Sequence, residues 1–229
     1  SMPKPTDALA KHWTDFLPPR LRDYAQLSRL DRPVGWRLLL IPCLMGLCLA
    51  RTVDGFFWDD LTLAALFFIG AIAMRGAGCT WNDILDRKID AKVARTKSRP
   101  LPSGRVSVAQ AGLWLCVQLA VGLLVWLALP GPAIPDALGG APLNLAQAVA
   151  LAALPLVALY PLMKRITWWP QIWLGLVFSW GVLTAGAAIN QTLRVEIWLM
   201  YAGCVVWTIA YDTIYALQDK EDDALIGVR

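Results

Sequence analysis

The chain has 229 residues, 57% of them hydrophobic and 17% charged, with a formal net charge of +4, and its mean hydropathy is +0.51. That balance excludes an ordinary soluble domain, and the positive charge, placed as described below, reports membrane topology and gives no sign of nucleic acid as a partner. The single histidine, His12, excludes histidine-rich zinc or haem sites, while the five cysteines (Cys43, Cys48, Cys79, Cys116, Cys204) are odd in number and sit in or near apolar runs, as small core residues do.

Residues 1–33 form a polar, Pro-rich N-terminal segment that begins Ser1-Met2, read as an expression scar, and holds no signal peptide ahead of the first apolar run. Leu21, Tyr24, Leu27 and Leu30 among basic residues predict a short helix. It lies on the membrane surface or packs on neighbouring loops, and both readings are open. Residues 34–229 form the membrane domain. Its apolar runs, Val34–Ala50, Leu61–Thr80, Val106–Leu129, Leu143–Met163, Trp168–Ile189 and Val195–Leu217, predict six transmembrane helices, each near the ~20 residues a span needs. Basic residues alternate with them. Lys4, Lys11, Arg20, Arg22, Arg29, Arg32 and Arg37 lie at the first span's start; Arg87, Lys88, Lys92, Arg95, Lys97, Arg99 and Arg105 follow the second. Lys164 and Arg165 follow the fourth and Lys220 and Arg229 the sixth, whereas the opposite loops hold only Arg51 and Arg194. The N-terminus and the loops after the even spans are therefore expected in the cytoplasm.

The second span ends Arg75-Gly-Ala-Gly-Cys79-Thr-Trp-Asn82, with small residues that allow close helix approach, and runs into Asp83, Asp86 and Asp90. Four-residue steps are expected to put Asn82, Asp86 and Asp90 on one helix face. Carboxylates stacked this way repel one another unless a cation lies between them; the alternative is a surface helix with solvated acids. Oxygen donors without His or Cys favour Mg²⁺, which is commonly shared with substrate phosphates. The surrounding Arg87, Lys88, Lys92, Arg95, Lys97 and Arg99 suit a diphosphate, or serve topology alone. Arg99-Pro-Leu-Pro-Ser-Gly104 reads as a stiff turn, a lid over the site or a plain connector, and Ser107-Val-Ala-Gln110 as the capping box of the third span.

Tyr160-Pro-Leu-Met-Lys164-Arg165 closes the fourth span, where Pro161 is expected to break the helix and release Lys164 and Arg165. Trp168, Trp169, Trp173 and Trp180 read as belt or packing residues, a few of them as walls of an isoprenoid path. The sixth span ends with Asp212, Asp219 and Asp223 at spacings of seven and four, a second acidic half-site. Two half-sites are better explained by two metal ions on one diphosphate than by separate sites. Arg75 and Asp212 each lie seven residues before their cluster, about 10 Å deeper. They are an anion clamp and a supporting carboxylate, or an ion pair between helices.

These motifs resemble the UbiA superfamily of intramembrane aromatic prenyltransferases. NDxxDxxxD is matched by Asn82, Asp83, Asp86 and Asp90, and YDTxYAxxDxxxD by Tyr211, Asp212, Thr213, Tyr215, Ala216, Asp219 and Asp223. Arg75-Gly-Ala-Gly-Cys79, the Arg99–Gly104 turn, Tyr160–Arg165 and Asp31-Arg-Pro-Val-Gly35 are similar to its 4-hydroxybenzoate polyprenyltransferase branch, and the resemblance covers about residues 25–229. It implies an all-α bundle with a central cavity open to lipid, and Mg²⁺-dependent transfer of a polyprenyl group from its diphosphate to the carbon ortho to the hydroxyl of 4-hydroxybenzoate, for ubiquinone synthesis. By position, Asn82 and Asp86 would hold one Mg²⁺ and Asp219 and Asp223 another, with Asp90 and Asp212 in catalytic support. Lys88, Lys92, Arg95 and Arg99 would take the diphosphate, and Arg165, Arg75 and Tyr160 the aromatic substrate. The expected location is the bacterial inner membrane. The family has nine spans, so six imply a C-terminally truncated stretch.

Two rivals accompany this reading. A divalent-cation transporter would also use membrane acids, but its site is expected near the midplane of repeated, broken helices, not at span ends. A family member with another acceptor, haem or a different quinone precursor, would share every motif.

Overall fold

The computed structural model describes residues 11–94, 96–134, 140, 142–167 and 169–225, and the side chains of all of these but 164, 216 and 218–225. Among the described residues the elements are helical, apart from one isolated bridge between Ile134 and Leu143. A 3-10 turn at Trp13–Phe16 precedes α1 (Pro19–Leu27), α2 (Val34–Ala50), α3 (Asp59–Asp90), α4 (Val108–Leu127), α5 (Leu145–Ile166), α6 (Pro170–Phe178), α7 (Gly181–Asn190) and α8 (Val195–Leu225). Five stretches are long and apolar enough to cross a membrane: α3, α4, most of α5, Pro170–Asn190 and Val195–Tyr215; α2 is a shorter apolar helix. All six predicted spans are thus present as apolar helical stretches. α3 has 32 residues, about 48 Å of helix against a ~30 Å hydrocarbon core, so its last turns carry Asn82–Asp90 beyond the apolar stretch.

Two expectations are corrected. Pro161 does not break its helix: α5 runs through Pro155 and Pro161 to Ile166, because a lone missing N–H is absorbed locally inside a membrane helix. The fifth span is two helices, α6 and α7, joined at Ser179 and Trp180 by i→i+3 bonds such as Val182 N–H to Ser179 O at 3.1 Å. Gly181, just past that break, lies against Cys43, whose sulfur occupies the space a Cβ would need.

The chain divides into two compact units, Ser1–Leu40 with Ala65–Ala128, and Ile41–Ala64 with Leu129–Arg229. In the first, Leu27, Leu101, Val106 and Ala111 form a core covered by Tyr24, Ile84 and Trp114. The Arg99–Gly104 turn is therefore packed structure, with Pro100 and Leu101 buried. Arg105 ties the loop to α1 through Asp23 at 2.9 Å and reaches Ser98 O at 3.0 Å. Leu27 of α1 belongs to this core and Ala25 is buried as well, while Leu21 is exposed. The predicted capping box opens α4: Ser107 Oγ accepts from Gln110 N–H at 3.1 Å and Gln110 Oε1 from Ser107 N–H at 3.0 Å.

A continuous polar chain staples α1, α3 and α4. Trp114 Nε1 donates to Ser28 Oγ at 2.8 Å, and Ser28 Oγ donates to Gln118 Oε1 at 2.9 Å. Gln118 Nε2 then donates to Thr80 Oγ1 at 3.1 Å, and Thr80 Oγ1 to Gly76 O at 2.8 Å. Satisfied polar side chains of this kind hold membrane helices together where apolar packing gives no preference over lipid. Gly76 is required because a Cβ there would land on the Gln118 amide. Gly76→Ala is expected to lower stability by about 1–3 kcal/mol, read as a drop in thermal midpoint of the purified protein; an unchanged midpoint would remove the staple from the account.

In the second unit α7 is almost wholly buried, with Val182, Leu183, Ala185 and Ala187 at 1% exposure or less. Small residues on both sides let its neighbours approach: Gly46 of α2 meets the Val182 backbone, and Gly186 of α7 meets Ile197 of α8. Trp173 Nε1 and Trp180 Nε1 each donate at 2.7 Å to α5 carbonyls, of Leu156 and Val149. Those two indoles are packing staples; Trp169 is exposed, and Trp168 lies outside the described residues.

Candidate active site

The charged end of α3 separates its four motif residues into two pairs. Asp83 is fully buried and Asp90 is 9% exposed, while Asn82 and Asp86 are intermediate. The helical period is the cause. Two four-residue steps accumulate about 80° of rotation, whereas a seven-residue step returns within about 20°. Asp90 therefore lines up with Asp83, not with Asn82, which corrects the expected three-residue face.

Two arginines hold the buried pair. Arg29 Nη2 donates to Asp83 Oδ1 at 2.7 Å, with side-chain exposures of 8% and 0%. Arg99 Nη1 lies 3.3 Å from Asp90 Oδ2 and 3.6 Å from Asp83 Oδ1. Arg29 sits just past the end of α1 with φ of 55°, a left-handed conformation costing an L side chain roughly 1–2 kcal/mol. Its other nitrogen, Nη1, donates to Gln26 O at 2.8 Å. Burial alone would lower the Arg29 pKa, but the adjoining Asp83 charge offsets this and raises it above the usual arginine value. Asp90 lies at the tip of α3, past the apolar stretch. Burial raises its carboxyl above the usual range, with Asp83 and Asp86 adding to the rise and Arg99 opposing it.

The remaining residues expected at the site are placed as follows. Lys88 and Lys92 are exposed, and Arg87 is half-buried with Nη1 donating to Ile84 O at 2.8 Å. Arg95 lies outside the described residues. Arg99 points into the acidic pair, so the structure ties one of the four expected diphosphate cations to protein carboxylates. Arg75 is half-buried on α3, its guanidinium packed on Gly35 of α2 where any Cβ would overlap it. On α5, Tyr160 is half-buried and Arg165 exposed; five residues of unbroken helix put them about 140° apart, so they do not share a face. Asp212 is half-buried on α8, and the side chains of Asp219 and Asp223 lie outside the described ones. Beside Asp212, rings of Trp207, Tyr211 and Tyr215 follow one another at centroid separations of 5.5 and 4.7 Å.

Among the described residues no three acidic, histidine or cysteine side chains gather closely enough to hold a metal ion. The α3 end offers half of an oxygen donor set, Asn82 and Asp86, whose chemistry fits Mg²⁺. The residue that reading the sequence missed is Arg29. The seven-residue period already applied to Arg75 and Asn82 groups Asp90 with Asp83, but no spacing along α3 points to Arg29.

The chain matches the UbiA prenyltransferase family over residues 39–229. A Drosophila pseudoobscura pseudoobscura protein named "4-hydroxybenzoate polyprenyltransferase, mitochondrial" is 47% identical over 209 residues, 91% of this chain and 49% of that protein. "4-hydroxybenzoate geranyltransferase 1" of Lithospermum erythrorhizon is 43% identical over 215 residues, 93% of this chain and 64% of that protein. The chain thus spans about half the length of the first relative and under two thirds of the second. A solved UbiA homolog from Archaeoglobus fulgidus, bound to GPP and Mg²⁺, gives a TM-score of 0.64 at 20% identity, covering 90% of this chain and 66% of that one. At that identity the likeness is one of fold.

Proposed function

We infer the function from one premise: this chain belongs to the UbiA prenyltransferase family. It serves as the metal- and diphosphate-handling part of an integral membrane 4-hydroxybenzoate polyprenyltransferase in ubiquinone synthesis, as the names of its relatives suggest. The observation that carries this reading is the division on α3, where Arg29 and Arg99 take up Asp83 and Asp90 while Asn82 and Asp86 stay half-exposed. Such a division suits a working oxygen pair on a structural base, and the Archaeoglobus homolog's GPP and Mg²⁺ agree with it.

The proposed roles follow. Asn82 and Asp86 hold one Mg²⁺, and Asp219 and Asp223 on α8 hold another; when bound, the ions supply charge neutralisation of a diphosphate leaving group. Lys88, Lys92 and Arg95 add positive charge around the diphosphate, and Asp90 and Asp212 support the two acidic sets. The allylic C–O bond breaks, diphosphate departs with the electron pair, and the acceptor carbon ortho to the hydroxyl forms the new C–C bond. The ring proton then passes to a base: a carboxylate, a tyrosine, water or the departing diphosphate. Apolar walls exclude water that would quench the allylic cation. Arg165, exposed at the end of α5, meets the acceptor's carboxylate. The expected setting is a bacterial inner membrane with the charged end of α3 toward the cytoplasm; the Drosophila relative is named mitochondrial, and fractionation of the source cell distinguishes the two.

The test is the full-length protein in nanodiscs with 4-hydroxybenzoate, a polyprenyl diphosphate series and Mg²⁺. Prenylated acid and diphosphate are expected in equal amounts. Arg165→Ala is expected to raise KM for the acid about tenfold, the scale of a lost charged hydrogen bond, with KM for the diphosphate unchanged. Absence of diphosphate release with every aromatic acceptor, or divalent-cation flux into liposomes instead, would overturn the assignment.

A further inference from the structure

We propose that Arg29 is a positioning residue for the metal-binding end of α3. The inference deepens the reading of Asn82 and Asp86 as Mg²⁺ donors and rests on it. Arg29 comes from the turn after α1, 54 positions away from Asp83 along the chain, and reaches α3 with a nearly fully buried guanidinium.

Three observations converge on this role. The contact is short and dry: 2.7 Å, with Asp83 completely buried. The backbone at Arg29 is left-handed, a conformation glycine adopts without strain, so the position keeps a strained arginine for its side chain. The neighbouring Ser28 is bound into the Gln118 and Thr80 staple, so the turn that carries Arg29 is itself anchored to α3 and α4. Asp83 held inward sets the rotation of the last turns of α3. Asn82 adjoins Asp83 in sequence and Asp86 follows one turn later, and that rotation turns both toward the half-exposed side. Arg29 also takes up the Asp83 charge at close range. That leaves Arg99, 3.3 Å from Asp90 and 3.6 Å from Asp83, as the looser bridge between the loop and the helix.

The experiment uses the full-length protein in nanodiscs with Mn²⁺ as the probe, read by electron paramagnetic resonance, and hydrogen exchange of residues 82–99. R29Q is expected to weaken Mn²⁺ binding about tenfold, the usual scale for losing a group that orients a ligand, and to speed exchange in 82–99 above that in α7. R29Q with D83N is expected to recover most of the exchange protection, because no buried charge is then left alone. R29K, which can serve only one of the two acceptors, is expected to lie between and carries the test if R29Q does not fold. Unchanged Mn²⁺ affinity and exchange in R29Q, or in R29K where R29Q is unfolded, would overturn the proposal. So would faster exchange throughout the protein with Mn²⁺ affinity intact, which is the signature of a purely structural residue. If the wild type binds no Mn²⁺ and releases no diphosphate, the functional reading fails, and the exchange contrast between 82–99 and α7 still decides whether Arg29 holds α3.

Discussion

Asp86→Asn is expected to lower prenyl transfer by about 10²–10³-fold, the scale for removing one preorganised group from a site where charge is being neutralised, while the helical content and thermal midpoint stay at wild-type values. Asp86 is half-exposed at the end of α3, and the substitution keeps its shape and one oxygen acceptor, so packing has little to lose. The defect should deepen at low Mg²⁺ and recover in part when Mg²⁺ is raised, because a neutral amide is a poorer ligand than a carboxylate. The measurement is turnover of the full-length enzyme across an Mg²⁺ titration, beside circular dichroism of the same sample. Normal turnover in Asp86→Asn would remove Asp86 from the metal set and with it the reading of the α3 end.

Three residues earlier, Asp83→Leu is expected to do the opposite. Asp83 is fully buried with Arg29 at 2.7 Å and Arg99 at 3.6 Å, and removing one partner of a buried pair leaves uncompensated charge, typically costing about 3–5 kcal/mol. The protein should lose folded yield and thermal stability, and the fraction that still folds should bind Mg²⁺ more weakly, because Asp83 no longer holds the rotation of the last turns of α3. The added substitution Arg29→Met, which removes the stranded charge, should return a substantial part of the stability. If Asp83→Leu folds as stably as wild type, the buried pair is not holding α3 in place. The two acids share one motif and differ by about a turn of helix, so their contrasting phenotypes test the division of labour directly.

The helices were legible because apolar runs of about 20 residues have few alternatives in a membrane. α2 matches its predicted bounds of Val34–Ala50, and the Ser107–Gln110 capping box is present as written. Pro161 breaks a helix by the rules of chains in water, under which α5 would end there; in a membrane helix α5 runs on to Ile166. The break at Ser179 and Trp180 was not legible, since it accompanies a close contact between Gly181 and Cys43, 138 residues before it. For the candidate site, four-residue spacing groups Asp90 with Asn82 and Asp86, whereas the structure buries Asp90 with Asp83.

Linear order was sufficient for the class of protein, the family and the apolar helical stretches. Those depend on hydropathy summed over long windows and on spacing along one chain, and both are properties of the sequence alone. Which acids are sealed away depended on partners distant in sequence: Arg29 reaches Asp83 from the end of α1, and Arg99 reaches both Asp83 and Asp90 from a loop that Pro100 and Leu101 bury. A buried carboxylate is stable only where a cation meets it at contact distance, and a contact between distant residues is made by packing, not by periodicity.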